Sequence, residues 1–377
     1  MNGRDKIEAA LSPDGTAEIP AVLCYEGIYI RDHWPQLTAA PWWHQHSPDL
    51  EQQMRWRREV IQRTDQDWMA LPGFYPRQER QALSLEACEG GAYLLNRQTG
   101  EARLLPEPQI GGWSPTAKRQ SVRPVELAAT PDEIAAAVPL AGPDPAAARL
   151  DGSGDLAARL LSEHGDLYPI RHVSGPLWSC YNLWGFEHLM YLIAAQPELV
   201  EQACMRYLEQ RIREVRAAAA LGAAGIWIED CITDMISPAA FAALNVAYLR
   251  PLVEEIRAMG MKSIYYFCGD PAGKWELLLD VGADALSLEE SKKGWVIDIA
   301  EVVARVRGRC AVLGNLDAIG VLQDGAEPVL RAEVARQIAA GRRNGSRFIM
   351  SLGSPVTPGT PVERVRRYCN LVHELGG

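Results

Sequence analysis

From residue 168 to the end of the chain, short apolar runs alternate with longer amphipathic stretches. The runs cover 168–173, 225–229, 261–268, 283–288, 310–314 and 347–352. Most are apolar at nearly every position, as strands buried on both faces must be. The stretches between them carry helix-end signals. Pro197–Leu221 reads as one long helix stopped by Gly222. Ser237 and Pro238 supply an N-cap and a first-turn proline for a helix ending near Met259 and Gly260. Asn344-Gly345 marks a turn just ahead of a run. Two more runs lie upstream, at 19–25 and 67–71, the second leading into Pro72-Gly73. Eight runs with helices between them predict an α/β fold, a (β/α)8 TIM barrel. A doubly wound open sheet is the alternative.

The rhythm breaks between residues 76 and 165. Runs at 92–96 and 101–105 flank Arg97-Gln98-Thr99-Gly100, which predicts a β-hairpin. A Pro- and Ala-rich stretch follows, with a capping signature at Thr130-Pro131-Asp132-Glu133. Asp151-Gly152-Ser153-Gly154-Asp155 reads as a surface turn. This region is expected to be an inserted hairpin and lid on a single domain spanning 1–377, not a domain of its own.

Composition narrows the function classes. The chain has 377 residues, 47% of them hydrophobic, enough for one large core. A net charge of −10 argues against nucleic acid or an anionic membrane as partner. No apolar run reaches the roughly 20 residues a membrane span needs. The first residues carry no apolar leader core, so a cytoplasmic location is expected. The eight cysteines are scattered and form no C-x-x-C pair, which predicts reduced thiols.

Candidate chemistry follows from the barrel. Residues just past each strand gather at the carboxyl rim, where barrel enzymes place their active sites. Here they are Glu26, Gly73, Ser174, Gly175, Glu229, Asp230, Cys231, Cys268, Asp270, Glu289, Glu290, Asn315, Asp317 and Ser354. Carboxylates and thiols at one mouth form an acidic, metal-competent site. Side chains alternate along a strand, so Glu229 and Cys231 share one direction and Asp230 takes the other. Cys268, Glu229 or Asp230, and one of Glu289, Glu290 or Cys231 make a candidate zinc set with an open fourth position. The plainer readings are a carboxylate capping the next helix and an inert buried thiol. After the first run come His33, Trp34, Trp42, Trp43, His44 and His46, either a pocket wall or packing. His172, inside a run, reads as a core histidine.

Four stretches carry a resemblance: GIWIEDCITDMISP at 225–238, YFCGD at 266–270, GNLD at 314–317 and FIMSLGSPVTPGTP at 348–361. Together they resemble the uroporphyrinogen decarboxylase superfamily, which includes zinc-dependent methyltransferases working with corrinoid proteins. The likeness runs from about Tyr168 to the C-terminus, and more loosely over 19–26. It implies a barrel with a funnel at its carboxyl rim. The true decarboxylases carry an arginine-rich loop after the first strand; this chain has Glu26 and a single Arg31 there. They also have a histidine where Ser354 stands. The methyltransferases hold zinc with a His-x-Cys pair and a second cysteine. Here Cys268 is kept, while Tyr266 and Ser354 replace the other two.

The resulting expectation is an enzyme of the methyltransferase branch. It would move a methyl group between a small substrate, an aryl methyl ether or methylamine, and a corrinoid carried by a partner protein. The catalytic candidates are Asp230, Glu229 and Cys268. Glu26, His33, Trp34, Trp43, Tyr266, Asn315 and Ser354 are the substrate-facing candidates. Zinc and a corrinoid are the expected cofactors, and a homodimer is an open option. A decarboxylase or lyase acting on a small carboxylic acid through Asp230, and a catalytically silent binding protein, are the rival readings.

Overall fold

The computed structural model describes residues 1–111, 127–140, 147–291 and 294–377. Its strands are β1 (Trp68–Ala70), β2 (Leu83–Cys88), β3 (Gly91–Asn96), β4 (Ala102–Leu104), β5 (Tyr168–Ser174), β6 (Gly225–Asp230), β7 (Lys262–Phe267), β8 (Ala285–Leu288), β9 (Ala311–Leu313) and β10 (Phe348–Ile349). Seven of them form one sheet in the order β1-β5-β6-β7-β8-β9-β10, every pair parallel. No strand order reverses, so the open doubly wound alternative is excluded.

The eighth expected run closes the ring without becoming a regular strand. Ala21 forms a parallel bridge with Met350, just past β10. Val22 N–H donates to Met350 O and Met350 N–H donates to Pro20 O, both at 2.9 Å. On the other side, Asp67 N–H donates to Ala21 O at 2.8 Å, next to β1. The ladder stays short for a chemical reason. Pro20 has no N–H to give. Side chains replace two ladder acceptors: the Asp67 carboxylate takes Ala21 N–H at 2.7 Å, and Gln66 Oε1 takes Leu23 N–H at 3.0 Å.

The helices end where the sequence places their signals. Gly222, at φ 90°, caps Pro197–Leu221 in the left-handed conformation. Ser237 Oγ accepts Ala240 N–H at 3.2 Å, and Thr130 with Glu133 forms a reciprocal capping box. The helix begun at Pro238 widens to a π turn over Ala242–Val246, which brings Asn245 into the buried layer. After β7 the helix covers only Trp275–Asp280. The segment 151–155 is a braced link, with Arg77 and Arg80 both on the Asp155 carboxylate. No described helix is long and apolar enough to cross a membrane.

Within the insertion, β2, β3 and β4 form an antiparallel sheet, the expected hairpin plus one strand. Its small core of Ala92, Leu94 and Leu105 packs against Trp42, Trp43 and Tyr75. The main core fills the layer between ring and helices. Inside the ring, Trp227 lies stacked between His172 (centroids 5.8 Å apart) and Tyr266 (5.1 Å). Trp68 meets Trp227 edge-on at 5.7 Å.

Candidate active site

The alternation expected of β6 holds. Trp227 and Glu229 point into the ring, while Ile228 and Asp230 point toward the helices. Tyr25 ends the first run with φ 54° and ψ 45°, a conformation that costs energy for a side chain with a Cβ. That turn sends its ring inward, edge-on to Tyr266 at 5.3 Å. Tyr25 O–H donates to Glu229 Oε1 at 3.1 Å. Cys231 S–H donates to the same oxygen at 3.8 Å, and its sulfur lies 3.9 Å from the Tyr25 hydroxyl. Cys268 follows β7 as Cys231 follows β6, and its N–H donates to Asp230 O at 2.9 Å, which sets the two cysteines side by side. Glu229, Cys231, Cys268 and Tyr25 are all partly open to the lumen.

The electrostatics of this mouth favour the protonated forms. Burial pushes the Glu229 carboxyl up, against the opposing pull of hydrogen bonds from Tyr25, Cys231 and Trp178. Burial also drives the Tyr25 phenol well above its usual value. The bond to Cys268, and then burial, does the same for the Cys231 thiol. His172 departs from the core role expected of it. Its ring is accessible from the lumen yet lies deep within the barrel, where desolvation by the surrounding protein, and then the neighbouring Arg171 charge, push it down to about 4. It is therefore a neutral imidazole stacked on Trp227.

Asp230 does not join this group. It is fully buried on the outer face of β6, where Tyr265 O–H (2.5 Å) and Asn245 Nδ2 (2.6 Å) both donate to Oδ2. Burial raises it to about 6. These bonds tie β6, β7 and the π turn together, so Asp230 is a packing group and the catalytic role expected of it is withdrawn.

The remaining candidates divide between the lumen and its surroundings. Tyr266 is in the lumen, and its hydroxyl donates to Gly353 O at 3.0 Å across the mouth. Glu289 lies within electrostatic reach of Tyr266. Glu290 packs so closely on Gly353 that a Cβ there would stand 2.3 Å from Glu290 N. Ser354 is buried beside them. Asn315 is a loop tie, donating to Glu289 O at 3.0 Å and Ile297 O at 2.8 Å. Asp317 caps the turn that follows it, and Asp270 folds back on its own loop by accepting Ala272 N–H.

The N-terminal candidates serve other places. Glu26 turns away from the mouth, accepting Ala70 N–H at 3.1 Å, and burial raises it to about 7. It lines an outer cavity of about 150 Å³ with Arg57, Met69 and Leu71. His33 is fully buried between two carbonyls, Tyr29 O at 3.0 Å and Thr360 O at 2.9 Å. Trp34 packs on Trp56 and donates to Ala40 O at 2.6 Å. Trp34, Trp42 and Trp43 line a separate groove of about 410 Å³, not the lumen. Tyr25 and Asn245 are residues the sequence reading passed over, and His172 is one it placed in the core. A strand-end position was the available signal for Tyr25.

The donor set does not fit zinc as it stands. Among the described residues, no three His, Cys, Asp or Glu side chains are arranged to hold a metal ion. Asp230 faces the wrong side of β6, and Glu26 faces the outer cavity. No catalytic step is therefore routed through a metal.

The uroporphyrinogen decarboxylase (URO-D) family model matches residues 122–375, well over half of the chain. This chain belongs to the uroporphyrinogen decarboxylase family. Among curated relatives named uroporphyrinogen decarboxylase, that of Hahella chejuensis is 28% identical over 50% of this chain and 52% of its own length. That of Methylococcus capsulatus is 28% identical over 58% of this chain and 63% of its own length. The matches thus span between half and two thirds of these relatives. A solved methyltransferase from Methanosarcina mazei has the same fold over 100% of both chains, with TM-score 0.66 and 16% identity. Within the family, this chain has no arginine cluster after its first run. Arg31 pairs with Asp32 at 2.7 Å and lines the outer groove.

Proposed function

We propose that this family member transfers a methyl group from a small methylated substrate, of aryl methyl ether or methylamine type, to a corrinoid carried by a partner protein. The observation carrying the reading is the carboxyl group at the mouth: Glu229, raised by burial and bonded to the Tyr25 phenol and the Cys231 thiol. None of these mouth side chains is a cation that would hold a polycarboxylate. The methyltransferase fold neighbour supports the same reading.

Removing a methyl group from oxygen or nitrogen leaves a basic heteroatom that must be protonated. Glu229 is the acid for this step, giving its proton to the leaving atom. Tyr25 fixes the Glu229 carboxyl in one orientation. His172, exposed on the Trp227 stack, offers a flat floor to a planar substrate. The corrinoid is a co-substrate that supplies the nucleophile accepting the methyl group.

The test offers methylamines and aryl methyl ethers to the purified protein with reduced free cobalamin, followed by absorbance. Glu229→Gln is expected to slow turnover about 10²–10⁴-fold, the usual worth of a positioned acid. Donor binding should be little changed. The wild-type rate should fall as pH rises through the raised Glu229 value, and the variant should lack that limb. Equal rates for variant and wild type would end this assignment.

A further inference from the structure

All eight cysteines are free thiols. Cys24, Cys180, Cys204, Cys310 and Cys369 are buried, and Cys88 is exposed at the end of β2. Only Cys231 and Cys268 are half-buried, and both face the open end of the ring. Their backbone placement is fixed by the sheet. The β6–β7 register sets Glu229 opposite Tyr266 and Asp230 opposite Phe267. One step further, Cys231 stands opposite Cys268, and Cys268 N–H donates to Asp230 O at 2.9 Å. Neighbouring strands run about 4.8 Å apart. That lies within the Cα separations of about 4.4–6.8 Å that disulfides use. Directly opposed residues also send their side chains to the same face.

A second close pair shows what is special here. Cys180 and Cys204 have sulfurs 3.8 Å apart, but both are fully buried between helices. No co-reactant reaches them. Cys231 and Cys268 combine backbone proximity with access to a co-reactant, and exchange into a disulfide needs both.

We propose that Cys231 and Cys268 are a redox-active dithiol that closes into a reversible disulfide across the mouth, in exchange with a small disulfide of the glutathione class. Cys268 sulfur attacks one sulfur of the co-reactant, whose S–S bond breaks and releases a first thiol. Cys231 sulfur then attacks Cys268 sulfur in the mixed disulfide and releases a second thiol. One S–S bond is broken and one is formed. The cysteines lose two protons and two electrons, and the co-reactant leaves as two thiols carrying them. The linked form pulls Cys231 sulfur toward Cys268 and away from Glu229 Oε1. This site does not depend on the methyl-transfer reading, because the register and the access stand without it.

The experiment equilibrates the full-length protein in mixtures of reduced and oxidised glutathione. Free thiols are then alkylated under denaturing conditions and the digest is mapped by mass spectrometry. A peptide pair joined through Cys231 and Cys268 is expected, with the other six cysteines alkylated. Dithiothreitol should return both thiols, and circular dichroism should be the same in both forms. In Cys231→Ser and Cys268→Ser, the remaining mouth thiol should carry glutathione as a mixed disulfide that no longer resolves. Two separately glutathionylated cysteines in the wild type, continued alkylation of both across the whole range, or linkage of Cys180 to Cys204 in their place would each overturn the proposal.

Discussion

Tyr25 and Glu26 are neighbours that serve opposite sides of the barrel wall. The first reaches Glu229 in the lumen, and the second is buried beside Arg57 in the outer cavity. Burial raises Glu26 from 4.5 to about 7, so the folded state holds a proton that the unfolded chain gives up earlier. Stability from this group is therefore complete below the lower value and is lost as pH rises through the upper one. The shift corresponds to about 3 kcal/mol, since each unit is worth roughly 1.4 kcal/mol. Glu26→Gln removes the titration and keeps an acceptor for Ala70 N–H. Its stability relative to wild type, from denaturant midpoints, should grow between those two values and level off above. A difference that does not vary with pH would show that Glu26 is not buried as described. At this scale the sequence was read unevenly. The parity of Glu229 and Cys231 against Asp230 followed from strand geometry alone. The direction of Glu26 did not, because it depends on the left-handed turn at Tyr25.

Among the elements, the first run is the one whose form the sequence misjudged. Its apolar residues suggested a full strand, but Pro20 and two side-chain acceptors leave only a bridge. Asp67 carries much of that closure. Its carboxylate accepts from Ala21 N–H, from His373 at 2.8 Å and from Lys6 at 3.3 Å. Burial works against its charge, yet these partners hold it below the ordinary carboxylate range. Asp67→Ala should cost roughly 3 kcal/mol, as losing one partner of a buried charged network does. Hydrogen exchange should quicken at the amides of Ala21 and Val22 before it does in β6 or β7. Unchanged exchange at Ala21 would move the closure elsewhere. The other strands were legible because each is a dense apolar run, and the helices because their caps are local chemistry. The third strand of the inserted sheet, β2, was not, because 83–88 mixes polar and apolar residues, although Gly90-Gly91 marks the turn into β3.

Over the whole molecule, the barrel was readable from eight runs, whereas the mouth was readable only as a list of strand ends. Which side of a strand each residue faces, and which loop folds over it, are set by contacts far apart in sequence. Hence Glu229 and Cys231 meet at the mouth, while His33, Trp34 and Trp43 went to other layers. Charge is also a property of the whole. A chain with net charge −10, a carboxyl group at its mouth and Arg31 turned outward is poorly built to draw in a porphyrinogen bearing several carboxylates. Incubated anaerobically with uroporphyrinogen, the protein should release no carbon dioxide and yield no porphyrinogen with fewer carboxyl groups by chromatography. Turnover there would favour the decarboxylase reading.

The seam of the ring joins Ala21 to Met350, nearly the full length of the chain apart. On the ribosome, the segment around Ala21 emerges long before its β10-side partner at Met350. Until then its apolar residues, Val22, Leu23 and Cys24 among them, have one neighbour and an open flank. A long regular strand waiting in that position would be a template for pairing with other nascent chains. A segment broken by a proline and satisfied by the side chains of Gln66 and Asp67, which emerge soon after it, offers far less to pair with. The latch that looks weak in the finished barrel is thus a protection during its synthesis.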